Sequence, residues 1–164
     1  MRAAAVAAAL VAALLATTAV AAVAVAAPAR GGPVRLGDAV DPRIADGGAQ
    51  RQLDAARARW RRLAARSYRM RVRLTCYCPH EVRRPRMIVV RRGRPVGLVA
   101  PYLDRFATVP RQFARIQEAI DARVAALTVS YRPSGRPRTI AIDRSRAIVD
   151  EEIALAVDRF RRLR

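Results

Sequence analysis

The segment SYRMRVRLTCYCPH, residues 67–80, alternates almost without a break. Tyr68, Met70, Val72, Leu74, Cys76 and Cys78 fall on one side of an extended chain. Arg69, Arg71, Arg73, Thr75 and Tyr77 fall on the other. A period of two fits a strand with one buried face and one wet face, not a helix with its period of about 3.6 residues. Such a strand needs neighbours to pair with and a layer over its apolar side. The rest of the chain must supply both.

Leu53, Ala56, Trp60 and Leu63 recur at helical spacing with arginines on the other faces, which predicts a helix ending near Arg66–Ser67. Trp60 is its anchor into the core. After the opening strand, RMIVV (86–90) and PVGLV (95–99) read as two strands joined by RRGR, where Gly93 supplies the backbone angles of a tight hairpin. Residues 100–107 read as loop. Thr108 is a good N-cap for a second helix, with Pro110 in its first turn and Val109, Phe113, Ile116 and Ile120 as its apolar stripe. Strands follow at 127–131 and 138–143, joined by RPSGRP. The closing DEEIALAVDRFRRLR fits either element. Ile153, Leu155 and Val157 alternate like a strand, while Ile153, Val157 and Phe160 have helical spacing behind three acids.

The order predicts an α+β fold of two layers: an antiparallel sheet of about five or six strands with two helices packed on one face. The folded domain is expected over 51–164, behind a Pro/Gly/Ala-rich flexible tether at 27–50. Residues 1–26 are expected to be a signal peptide: Arg2 precedes a long run of small apolar residues, and Ala24-Val25-Ala26 is the cleavage signal. The alternative is a retained N-terminal membrane anchor, since the run is long enough to span. Either way the chain is expected to be secreted or held in the cell envelope.

The formal net charge is +19, and all 32 basic residues are arginine. Such a chain clings to polyanions, and salt weakens the contact. On the opening strand Arg69, Arg71 and Arg73 line one exposed face, with Arg83, Arg84, Arg86, Arg91, Arg92 and Arg94 close behind in sequence. This ridge is a candidate anion-binding surface, and a polyanionic envelope component is the expected partner. A solvated sheet face whose charges discourage edge aggregation is the plainer account. No specific nucleic acid is implied. Membrane contact is expected only through the N-terminal segment, if retained.

The series Trp60, Tyr68, Cys76-x-Cys78-Pro79, a hairpin around Arg92-Gly93, and VSYRPSGRPRTIAIDRSRAIVDEE resembles the bacterial domain of unknown function 6174. The likeness spans roughly residues 51 to 162. Family members usually carry an aromatic residue where this chain has Arg136, and often an acid or polar residue where it has Arg132. The resemblance implies a secreted or lipid-anchored envelope protein and a strand for the closing segment. It supplies no reaction.

Cys76 and Cys78 share a strand face, about 6.5 to 7 Å apart at Cα, the outer edge of disulfide geometry. A bend before Pro79 closes that gap, and two lone cysteines in an oxidising compartment pair. The alternative adds His80, the only histidine, as a third ligand beside Cys76 and Cys78 for thiol-redox or metal chemistry. Asp143, Asp150, Glu151 and Glu152 form the only dense acidic cluster, a candidate calcium site or acid/base pair. Ordinary surface charge paired with Arg144, Arg146 and the C-terminal arginines is the plainer account. No phosphate-cradling glycine loop or nucleophile elbow is present, so no cofactor and no catalytic residue is expected. The sequence thus points to a non-enzymatic binding or scaffold domain, with thiol-redox or metal handling as the alternative.

Overall fold

The computed structural model describes residues 39–148 and 151–164. The expected signal peptide, the first part of the expected tether and Asp150 lie outside the described residues.

The chain begins with α1 (Pro42–Ala45) and α2 (Gly48–Leu63). It continues through β1 (Tyr68–Cys76), α3 (His80–Arg83), β2 (Arg86–Arg91) and β3 (Arg94–Val96). A 3-10 turn at Pro101–Phe106 leads into α4 (Val109–Asp121). Then come β4 (Ala126–Tyr131), β5 (Pro137–Asp143) and β6 (Ile153–Arg162). All six strands join one antiparallel sheet in the order β3-β2-β1-β6-β5-β4. The α+β, two-layer expectation holds.

The opening strand sits at the centre, between β2 and β6. Tyr68, Met70, Val72 and Leu74 are buried. From the helices, Leu53, Ala56 and Trp60 of α2 and Val109, Phe113, Ile116 and Ile120 of α4 close over them. Trp60 meets the edges of Tyr68 and Phe160 at ring-centroid distances of 5.6 and 5.9 Å, so it anchors α2 as expected. The Thr108 side chain accepts from Arg111 N at 3.2 Å, the predicted cap. At the hairpin tip Arg92 and Gly93 both have positive φ, 50° and 82°, as a two-residue turn with the strands' own twist requires.

The closing segment is a strand. Leu155 and Val157 face the core, and the register with β1 shifts between Arg69 and Arg71. Arg159, with φ 44°, takes up the extra residue. Phe160 therefore returns to the core side three positions after Val157, and this bulge produced the helical spacing in the sequence.

Three expected boundaries are corrected. Residues 41–50 belong to the fold rather than to a tether. Asp41 is buried and caps α1 by accepting from Arg43 N. Its other carboxylate oxygen accepts from Leu127 N at 2.8 Å on the free edge of β4. Residues 100–107 are not plain loop, because Leu103 and Phe106 turn inward on the 3-10 segment. The strand expected at 95–99 ends at Val96, where Gly97 adopts φ 81°.

Candidate functional site

With both long helices on one face of the sheet, alternation sends every second side chain to the opposite, open face. The register arranges these residues in rows. Arg69 stands opposite Arg161 on one side and Val89 on the other, with Val96 beyond. In the next row Arg71 stands between Asp158 and Met87. Arg73 is followed by Ala156, Thr139 and Ser130. Thr75 is followed by Ala154, Ala141 and Thr128. At the hairpin end Arg91 and Arg94 oppose each other.

The face is thus basic over β1, β2, β3 and the end of β6, and small and neutral over the middle of β6, β5 and β4. Among the described residues, the well-paired cation of this face is Arg71. Its Nε and Nη2 donate to the two carboxylate oxygens of Asp158 at 2.7 and 2.6 Å. This fork-to-fork contact raises the arginine pKa and holds the Asp158 carboxyl below the usual range. Among the described residues no carboxylate side chain pairs with Arg69, Arg73, Arg91, Arg94 or Arg161. Arg91 donates to the Arg164 main-chain oxygen at 3.0 Å. Arg92 lies at the hairpin tip, its N–H on the Ser67 hydroxyl.

Like charges directly opposed on neighbouring strands destabilise a sheet. Among the described residues the face keeps two such pairs, Arg69–Arg161 and Arg91–Arg94. Sequence alternation picked out Arg69 and Arg73. It missed Arg161, which lay in the ambiguous closing segment, and Asp158, whose pairing with Arg71 spans 87 residues.

The sulfurs of Cys76 and Cys78 are joined, with Cα atoms 5.2 Å apart. The strand stops at Cys76 and the chain bends, with Cys78 N donating to Cys76 O at 2.9 Å. That bend brings the Cα atoms closer than a straight strand allows. In the chain-entropy model so short a loop stabilises by only about 1 to 2 kcal/mol. His80 does not continue the strand face: it opens α3 and is exposed. With both thiols in the bridge, the three residues do not form a ligand set. No group of three or more His, Cys, Asp or Glu able to hold a metal occurs among the described residues.

A groove of about 340 Å³ lies over the neutral end of the open face. Its floor is Thr75, Ala154, Ala141 and Thr128, with Tyr77, Asp143 and Glu152 on its rim. Asp143 accepts from Ser145 N at 3.0 Å, so its carboxylate is engaged in the turn that follows β5. Glu151 and Glu152 are exposed.

Tyr131, at the end of β4, is half-buried near Arg57, Arg43 and Arg59. Burial pushes its phenol up to about 12 against the pull of those arginines. Arg136 is buried, its guanidinium carbon 4.8 Å from the Phe160 ring centroid. Desolvation lowers its pKa. It fills the position where the resemblance expected an aromatic ring, and it packs as one.

No curated protein and no solved structure matches the chain. The model of a family of unknown function, DUF6174, matches residues 52–162. That covers most of the chain and all three strands at the centre of the basic face, and the protein belongs to this family.

Proposed function

We propose that the protein is a non-enzymatic binding domain of the cell envelope or exterior that holds an acidic partner on the open face of its sheet. The observation that carries this reading is the directly opposed pair Arg69 and Arg161, flanked by Arg73, with no carboxylate side chain among the described residues to neutralise them. A sheet that needs only a solvated outer face has no use for opposed like charges, which cost stability. An anion lying across the strands turns that cost into binding, because each guanidinium presents a donor fork suited to phosphate, sulfate or carboxylate. The Arg71–Asp158 pair occupies the row between those of Arg69 and Arg73, and its two hydrogen bonds tie β1 to β6 beneath them.

Heparin serves as a soluble probe. Affinity measured over a salt series should fall as salt rises. In Arg69→Ser/Arg73→Ser/Arg161→Ser the slope of log affinity against log salt should flatten by about one per arginine that contacts the polymer. An unchanged slope and affinity would remove the open face from the account.

A further inference from the structure

The arginines of the open face border a set of exposed apolar side chains. β3 ends at Val96, so among the described residues Arg86, Met87 and Ile88 of β2 have no strand partner on their outer side. The register, continued past Gly97, would set Leu98 against Met87. Leu98 is 104% exposed, Val96 55% and Met87 49%. All three line one groove of about 560 Å³, walled by Val99 and Leu103. Single exposed apolar residues are ordinary, whereas a contiguous set rimmed by polar groups marks an interaction surface.

The same register joins this set to the cations. Met87 is the cross-strand neighbour of Arg71. Val96 is separated from Arg69 only by Val89. Arg91 and Arg94 lie at the hairpin end and Arg86 at the other. A soluble polyanion would engage the arginines and leave Leu98 in water. An anionic bilayer engages both, because phosphates meet the guanidinium groups while apolar tips enter the boundary between headgroups and acyl chains.

We infer that the acidic partner is the surface of an anionic lipid bilayer, with Met87, Val96 and Leu98 seated among the headgroups and Arg69, Arg91 and Arg94 on lipid phosphates. This rests on the anion-binding reading of the open face. It adds a membrane contact made by the folded domain itself, apart from the N-terminal segment.

The full-length chain carrying Leu98→Trp tests it. Position 98 is fully exposed, so the new indole disturbs no packing, and Trp60 stays buried as a constant background. Vesicles of phosphatidylglycerol with brominated phosphatidylcholine should quench the new indole, and vesicles of brominated phosphatidylcholine alone should not. In a second arm, Val96→Ser/Leu98→Ser should weaken binding to the anionic vesicles about tenfold, the loss expected for partly buried aliphatic side chains. Its heparin affinity should stay at the parent level. An unquenched indole on protein bound to the anionic vesicles, or equal vesicle affinity for the double variant, overturns the bilayer assignment. Salt-sensitive heparin binding would then point to a soluble polymer and leave the anion-binding reading standing. Loss of salt-sensitive binding in both arms would end that reading as well.

Discussion

The phenol oxygen of Tyr68 accepts a hydrogen bond from the Val109 main-chain N–H at 2.9 Å. Tyr68 opens the central strand, and Val109 is the first residue of α4. A helix leaves its first N–H groups without internal partners, and this one is buried, so the tyrosine supplies the missing acceptor. Tyr68→Phe keeps the ring against Trp60 and removes only that oxygen. It should lower stability by about 1 to 3 kcal/mol, the cost of an unsatisfied buried donor. Urea unfolding should show an earlier midpoint with an unchanged slope.

Gly135 holds the β4–β5 turn against α2. Its φ is +87°, and a Cβ placed there would lie 2.1 Å from Ala56 O and 2.8 Å from Trp60 N. Both obstacles are main chain, so neither can swing aside. Gly135→Ala should cost about 3 kcal/mol or more, through backbone strain and overpacking together. Gly93→Ala is the control: φ is +82° but nothing lies within 4 Å, so only strain remains, about 1 kcal/mol. Equal losses for the two variants in urea would show that the turn does not bear on α2.

Arg136 is a buried cation on an aromatic face with no carboxylate partner among the described ion pairs. Replacing a desolvated charge with an apolar group of similar volume is often neutral or stabilising, whereas truncating it opens a gap. Arg136→Phe should therefore match or exceed the parent in thermal midpoint. Arg136→Ser should lower stability by about 1 to 3 kcal/mol. A large loss in Arg136→Phe would mean that the weak contacts of the guanidinium to Pro137 O and Val157 O matter more than its stacking.

Tyr131 and Tyr68 both have raised pKa values, chiefly because burial disfavours the phenolate. For Tyr131 the folded chain favours the neutral phenol. Its contribution is intact below the ordinary value of 10.0 and is lost as pH climbs through about 12. Stability should therefore decline over that alkaline range. Absorbance titration should show a phenolate step in the parent, near pH 12, that is missing in Tyr131→Phe. Loss of a step at the ordinary value instead would contradict the burial of this side chain.

The central strand was legible because Tyr68 to Leu74 combine strict alternation with strong polarity contrast. The second helix was legible because Thr108 and Pro110 mark its start. The closing strand was not, since the bulge at Arg159 inserts one residue and makes Val157 and Phe160 imitate a helix. Asp41 lies in a Pro/Gly/Ala-rich run that reads as tether, although Asp-Pro is itself a helix-start signal; its role depends on reaching Leu127, 86 residues away. Half of the basic face could be read from Arg69 and Arg73. The other half needed the register, because only pairing sets Arg161 beside Arg69 and Asp158 beside Arg71. Leu98 looked like strand interior until Gly97 ended β3 before it.

A net charge of +19 makes any polyanion stick somewhere, so the account turns on position rather than on charge. The direct measurement compares heparin affinity over a salt series for two triple variants of equal charge. One is Arg69→Ser/Arg73→Ser/Arg161→Ser on the open face; the other is Arg51→Ser/Arg61→Ser/Arg62→Ser on exposed positions of α2. The account predicts a sharp loss of affinity and a shallower salt slope for the first, with the second close to the parent. Equal losses in both would contradict it and leave only diffuse attraction to a basic surface.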